Sequence, residues 1–249
     1  MTADAFLLVH GGFHDSRCWE RLIPLLSRPA LAVDLPGRGT RPAKMADVTL
    51  EACVRSVVAD IEKAGLSKVV LVGHSMGGGT VPVVAARIPE RIAHLVFLST
   101  LIAPEGGSLV DGFLPETREA AIRRLGTGED VEIELSEAHH RELLCNDMSE
   151  EDVAWCLARV GPDSRRLFTD RASRAGLPNA LPRTYIRLRR DRSVTWEQQA
   201  HAISLLPGLA IREIDAPHQA MVTHPREVAA ILNELAGTGS GDPMPDRGR

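Results

Sequence analysis

Aromatic residues are scarce in this chain. Phe, Trp and Tyr make up 4% of its 249 residues, with a single tyrosine among them. So sparse a supply argues against the stacking surfaces that bind single-stranded nucleic acid. Neither sign of charge dominates: 29 Lys and Arg stand against 33 Asp and Glu, a formal net charge of −4. That balance points to no nucleic-acid partner and no anionic membrane surface. No apolar run approaches the ~20 residues that span a bilayer, so no membrane insertion is expected. Residues 1–4 lack a basic region leading into an apolar stretch, so no secretory signal is visible. Cysteine is limited to Cys18, Cys53, Cys145 and Cys156, without C-x-x-C spacing. Reduced thiols in a cytoplasmic protein are expected, and zinc ligation is not.

What is present suits a globular chain: 44% hydrophobic and 25% charged residues, long enough for one large domain or two small ones. Apolar β-rich runs alternate with helical patterns. Strands are expected at 5–10, 30–35, 68–73, 94–100, 184–188 and 209–214. Helices are expected at 17–27, 49–64, 75–87 and 225–236. Thr49 supplies an N-cap, Gly65 a C-terminal stop, and Pro225 suits a first helical turn. The alternation predicts an α/β fold, a parallel sheet with helices on both faces. Residues 103–182 break the pattern. They offer no good strand, only helical segments at 115–125, 136–146, 149–160 and 162–175, and read as a lid. The chain thus divides into a core at 1–102 and 183–236, a helical cap at 103–182, and a Gly/Pro-rich tail at 237–249 expected to be disordered.

Gly73-His74-Ser75-Met76-Gly77 matches G-x-S-x-G, directly after a strand and opening a helix. In that setting the glycines permit a tight turn that lifts the serine hydroxyl above the sheet edge. The bland alternative is a Gly-rich turn with an incidental serine. A serine hydroxyl needs a base. Of nine histidines, His218 follows the last strand, at the C-terminal edge where a parallel sheet gathers its site residues. His74 should point away from the nucleophile, and His10 should order its own loop. His139 and His140 read as solvated, His94 begins a strand at the wrong edge, and His201 and His224 have no strand-end placement. The orienting carboxylate is Asp191, after the strand at 184–188, with Asp170 and Asp215 as rivals. The order Ser75, Asp191, His218 is that of one hydrolase fold. An oxyanion needs fixed donors, for which the backbone N–H groups of Met76 and Gly12 are the candidates, with Phe13 second to Gly12.

The fragments VHGGFHDSRCW, DLPGRG, VGHSMGG and DAPHQAM together resemble the α/β-hydrolase superfamily, in the branch of plant methylesterases and hydroxynitrile lyases. The resemblance runs from Phe6 to about Ala236, and Leu143-Leu144-Cys145-Asn146-Asp147 resembles that branch's cap. It implies an α/β-hydrolase fold with a mostly parallel sheet and a helical cap. It also implies a serine hydrolase cleaving a small-molecule carboxylic ester, thioester or lactone through an acyl-enzyme, without cofactor or metal. Two departures stand out: the family's two leading antiparallel strands are missing, and Pro82 should kink its helix near Gly78. Relatives with lyase chemistry carry a lysine after the catalytic histidine and a threonine in the first loop. Gln219 and a glycine of the Gly11-Gly12 pair stand there instead, which disfavours cyanide chemistry. A cofactor-free oxygenase using the His218–Asp191 pair, and a non-catalytic small-molecule receptor, remain as alternatives. Phe13, Trp155, Leu144 and Leu157 could face the substrate pocket, or simply pack on the sheet. Arg187, Arg189, Arg190 and Arg192 bracket Asp191 and could hold it ionised, attract an acidic substrate, or sit in solvent. A homodimer is left open.

Overall fold

The computed structural model describes residues 2–126 and 131–237. Along the chain come β1 (Ala5–Val9), β2 (Ala30–Val33), α1 (Leu50–Lys63), β3 (Val69–Ser75), α2 (Val81–Arg87) and β4 (Ile92–Thr100). An insert follows, with α3 (Pro115–Leu125), β5 (Glu132–Ile133), α4 (Glu137–His139), α5 (Glu150–Leu157), β6 (Asp163–Ser164) and α6 (Arg166–Thr169). The chain then returns through β7 (Arg183–Leu188), α7 (Trp196–Ser204), β8 (Leu209–Ile214), α8 (Ala220–Thr223) and α9 (Pro225–Leu235). Six strands pair in the order β2-β1-β3-β4-β7-β8, all parallel.

The strands are apolar because both faces are covered. All five residues of β1 are buried. Phe6 and Leu8 pack with Trp19, Val72, Leu188 and Leu232 on one face. Leu7 and Val9 pack with Val54, Leu71, Tyr185 and Ala202 on the other. In α1, Leu50, Cys53, Val54, Val57 and Ile61 form the buried stripe that a 3.6-residue period dictates. Thr49 accepts the Ala52 N–H at 2.9 Å and caps it. Chain progression reverses between β1 and β3, so the crevice of the sheet opens at their C-terminal ends.

Several sequence expectations are corrected. Residues 17–27 form two 3-10 turns, Ser16–Trp19 and Ile23–Leu25, rather than one helix, because Pro24 withholds an N–H in mid-segment. The elbow helix splits into a 3-10 turn at Met76–Gly79 and α2, and Pro82 falls in the first turn of α2, where its missing N–H costs nothing. The insert contains a strand pair after all, β5 with β6, antiparallel. Residues 162–175 are helical only over α6, since Asp163–Ser164 are drawn into that pair. The helix α7 was not anticipated, although Thr195, capping Gln198 N–H, is a recognisable start signal. The tail beyond residue 237 lies outside the described residues. No helix among the described residues is long and apolar enough to cross a membrane.

Candidate active site

Ser75 ends β3 with φ +51° and ψ −119°, a conformation that lifts a side chain out of the strand-to-helix turn. The turn can pack this closely because glycines stand at positions 11 and 77. A Cβ on Gly77 would lie 3.0 Å from the His10 carbonyl, and one on Gly11 would lie 2.9 Å from Ser75 Cβ. Asp191 follows β7 and His218 follows β8, so all three residues lie at the C-terminal edge of the sheet.

His218 donates Nδ1–H to Asp191 Oδ2 at 2.6 Å, and both side chains are essentially excluded from solvent. The carboxylate is fully engaged. Its Oδ1 accepts the Ser193 and Val194 N–H groups at 2.7 and 2.8 Å, and Oδ2 also accepts the Ser99 hydroxyl at 2.6 Å. A carboxylate held by four donors fixes the imidazole's tautomer and orientation. The His74 Nε2–H reaches the His218 carbonyl at 3.0 Å. Burial pushes the His74 imidazole well below its ordinary pKa, so it braces His218 as a neutral ring. His10 is likewise depressed by burial; its Nε2 accepts the Leu35 N–H at 3.1 Å and orders the loop after β1.

That loop carries the candidate oxyanion donors, and the structure distinguishes between them. Phe13 sits at φ +63°, and its N–H is given to Asp163 Oδ2 at 2.9 Å. The Phe13 carbonyl accepts the Gly161 N–H at 2.9 Å. Asp163 is completely buried and paired with the buried guanidinium of Arg38. With its N–H committed to Asp163, Phe13 is not free to serve as a donor, a correction to its candidacy. The His140 ring stands edge-on to Phe13 at 5.7 Å. His140 is therefore buried against the site rather than solvated, a correction, while its neighbour His139 is exposed.

A cavity of about 120 Å³ opens at Ser75, Gly12 and Met76. Its walls include Phe13, Leu101, Phe113, Leu144, Phe168 and Val194. Leu144 thus lines it. Trp155 and Leu157 do not: the Trp155 ring lies between two guanidinium groups, Arg159 at 3.9 Å and Arg21 at 5.2 Å. The ring is half-buried and packs against the core cluster that contains Val153 and Cys156. Both rivals to Asp191 are elsewhere. Asp170 caps α1 through the Leu50 N–H, and Asp215 is exposed beside Arg190. The four arginines around Asp191 form no ion pair with it. Arg187 stacks on Trp196, Arg189 binds Glu213, and Arg190 and Arg192 hold Asp147. Sequence reasoning passed over Ser99, Arg38 and Asp163. The first had a signal, a polar Ser-Thr pair closing an apolar strand; the other two are 125 positions apart and had none.

Sheet order, elbow and strand-end residues together define a hydrolase-type α/β architecture. Residues 6–231 match the alpha/beta hydrolase family, and the chain belongs to it. Among similar proteins is Esterase PIR7B from Oryza sativa subsp. japonica, 28% identical over 93% of this chain and 95% of its own length. Polyneuridine aldehyde esterase from Rauvolfia serpentina is 26% identical over 93% and 95%. Its crystal structure, at 25% identity, superposes with a TM-score of 0.81 and covers 94% of this chain and 99% of that one. An extracellular α/β-hydrolase from a Paenibacillus species reaches a TM-score of 0.84 over 94% and 99%, at 21% identity, a likeness of fold.

Proposed function

We propose that this protein is a serine esterase that cleaves small-molecule carboxylic esters through an acyl-enzyme on Ser75. The observation that carries the reading is the buried 2.6 Å bond between His218 and Asp191, at the same sheet edge as the strained Ser75 elbow. Ser75 attacks the acyl carbon while His218 takes its proton, and Asp191 stabilises the imidazolium that forms. The backbone N–H groups of Gly12 and Met76 receive the developing oxyanion. Collapse expels the alcohol, protonated by His218, and water repeats the sequence to release the acid. Named esterases among the relatives support ester hydrolysis as the reaction class.

The apolar wall of the cavity suits an uncharged acyl or alkoxy group of modest size. Gln219, where lyase relatives carry a lysine, is buried with its amide 3.4 Å from His14 Nε2 and places no cation beside His218. We assign residues 103–182 the role of lid, since Phe113, Leu144 and Phe168 from the insert close the cavity. The four thiols are buried and unpaired, which suits a reducing compartment such as the cytoplasm. The test is active-site labelling with a fluorophosphonate, followed by an acyl chain-length panel of esters. Labelling confined to Ser75 with turnover of short apolar esters is expected. An unlabelled, fully folded protein would sink the assignment.

A further inference from the structure

We propose that Ser99 is a positioning residue of this site, whose hydroxyl sets how much negative charge Asp191 Oδ2 offers to His218. The proposal rests on the Ser75–His218–Asp191 reading above and deepens it.

The argument starts from a break in register. Strands β3 and β4 pair residue by residue from Val70 opposite His94 to His74 opposite Leu98, and then Ser75 faces Thr100. Ser99 is left without a partner, as the extra residue of a bulge. Bulges re-aim side chains beside active sites. Ser99 shows the backbone cost of that: it lies at φ +42°, in a region that favours glycine. Described non-glycine residues with positive φ are only Phe13, Ser75, Ser99 and Asp147. The first two border the reacting centre, and Asp147 binds the arginines flanking Asp191. Strain gathers where surrounding structure holds it for a purpose.

The Ser99 hydroxyl is completely buried and donates to Asp191 Oδ2 at 2.6 Å. The same oxygen receives the His218 Nδ1–H at 2.6 Å. Two donors therefore share one oxygen's charge, while Oδ1 is occupied by two backbone N–H groups. When His218 accepts the Ser75 proton, its positive charge is stabilised by Oδ2. The serine hydroxyl withdraws part of that support. Without it, Asp191 keeps three donors, and Oδ2 serves His218 alone. The imidazolium gains stability, and the base becomes neutral only at higher pH.

Other titratable groups face this pair from every packed element. His74 from β3 lies 4.6 Å ring to ring from His218, His14 comes from the loop after β1, and Tyr185 comes from β7. Burial keeps His74 neutral, brings His14 down to about 4 and raises Tyr185. The Tyr185 hydroxyl is spent on the Thr100 carbonyl at 2.7 Å. The nearby arginines are engaged with Trp196, Glu213, Asp147 and Asp215. None of these changes charge across the neutral range, so the acid limb of the rate profile reports the His218–Asp191 pair.

The experiment is the pH dependence of fluorophosphonate labelling and of ester turnover in the wild type, Ser99→Ala, Ser99→Gly and Ser99→Cys. Labelling of the wild type, lost in Ser75→Ala, tests the parent reading by itself. Ser99→Ala and Ser99→Gly should move the acid limb upward by about half a pH unit or more, with the plateau changed less than ~10-fold. Ser99→Cys keeps a weak donor and should fall between. The glycine variant relaxes the backbone at φ +42°, so it keeps the test alive where the alanine variant folds poorly. A limb that stays in place, or moves down, in both donor-free variants overturns the proposal, even where the plateau drops. An unlabelled wild type overturns the parent reading first, and this one with it.

Discussion

His218 and Asp191 are held from within the sheet core, whereas the loop of Gly12 and Phe13 is held from the insert. On the first side the partners are Ser99 from β4, His74 from β3 and the Ser193–Val194 backbone after β7. On the second side they are Gly161, Asp163 and His140, with Arg38 neutralising Asp163. The contrast teaches where variation can act. Changes in the insert reach the proposed oxyanion donors and the cavity, while the groups bonded to the Asp191 carboxylate come from the core. The insert meets that side through Asn146 and Asp147, at the arginines beside Asp191. A fold can then exchange its lid for a new substrate without retuning its base.

The comparison can be broken at several points. The largest effect is at Ser75, which both sides serve: Ser75→Ala should lower kcat by at least about 10³-fold with little loss of stability, read from ester turnover and thermal melting. Next comes Asp163→Ala. It frees the Phe13 N–H and strands a buried guanidinium, so kcat should fall about 10- to 100-fold and stability by ~3 kcal/mol. Its acid limb should stay where it is, in contrast to the Ser99 variants, and Asp163→Asn should recover part of kcat because an acceptor for Phe13 remains. If Asp163→Ala shifts the limb and leaves the plateau intact, the division between the two sides is wrong.

A smaller effect separates two insert residues. Leu144→Ala should change the ratio of activities between short and long acyl esters by roughly 10-fold, since Leu144 lines the cavity. Trp155→Ala should leave that ratio alone, because its ring lies between Arg21 and Arg159 outside the cavity. Equal ratios for the two variants in a chain-length panel would contradict the cavity boundary. The smallest per-step effect is in stability against pH. Burial depresses His14 and His94 to about 4, and pushes His74 well below its ordinary value. A depressed group binds its proton more readily unfolded, so stability is full above about 6.5 and falls as pH drops toward 4. Each such histidine contributes a slope of up to ~1.4 kcal/mol per pH unit, visible in urea melts between pH 7 and 4. Flat stability over that window would mean these rings are solvated and would undo the bracing role of His74.

The six sheet strands, α1, the elbow and the order Ser75–Asp191–His218 were all legible in the sequence. Each rests on a local rule: apolar runs for covered strands, a 3.6-residue stripe with Thr49 before it, and a serine between glycines at a strand end. Local rules also failed where local signals were ambiguous. Trp155 sits on a helix that packs on the core, and its half-buried ring is covered by the guanidinium groups of Arg21 and Arg159 instead of lining the cavity. Residues 162–175 look helical until Asp163 is drawn into a strand pair with β5.

Three further relationships had no sequence signature, and only the tertiary structure decided them. The bond from Ser99 to Asp191 spans 92 positions, that from Phe13 to Asp163 spans 150, and the guanidinium of Arg38 meets a carboxylate of the insert. The reason is physical. Periodicity and caps record what a residue does with its neighbours along the chain, over a turn or a strand. Which buried donor meets which buried acceptor depends on how strands are ordered and where a bulge turns a side chain. In a solvent-excluded interior every polar group must find a partner, and those partners are assigned by packing rather than by spacing. The sequence by itself determined the class of fold and the three residues at the sheet edge; the packed structure decided what holds them, and which side chains of the insert line the cavity.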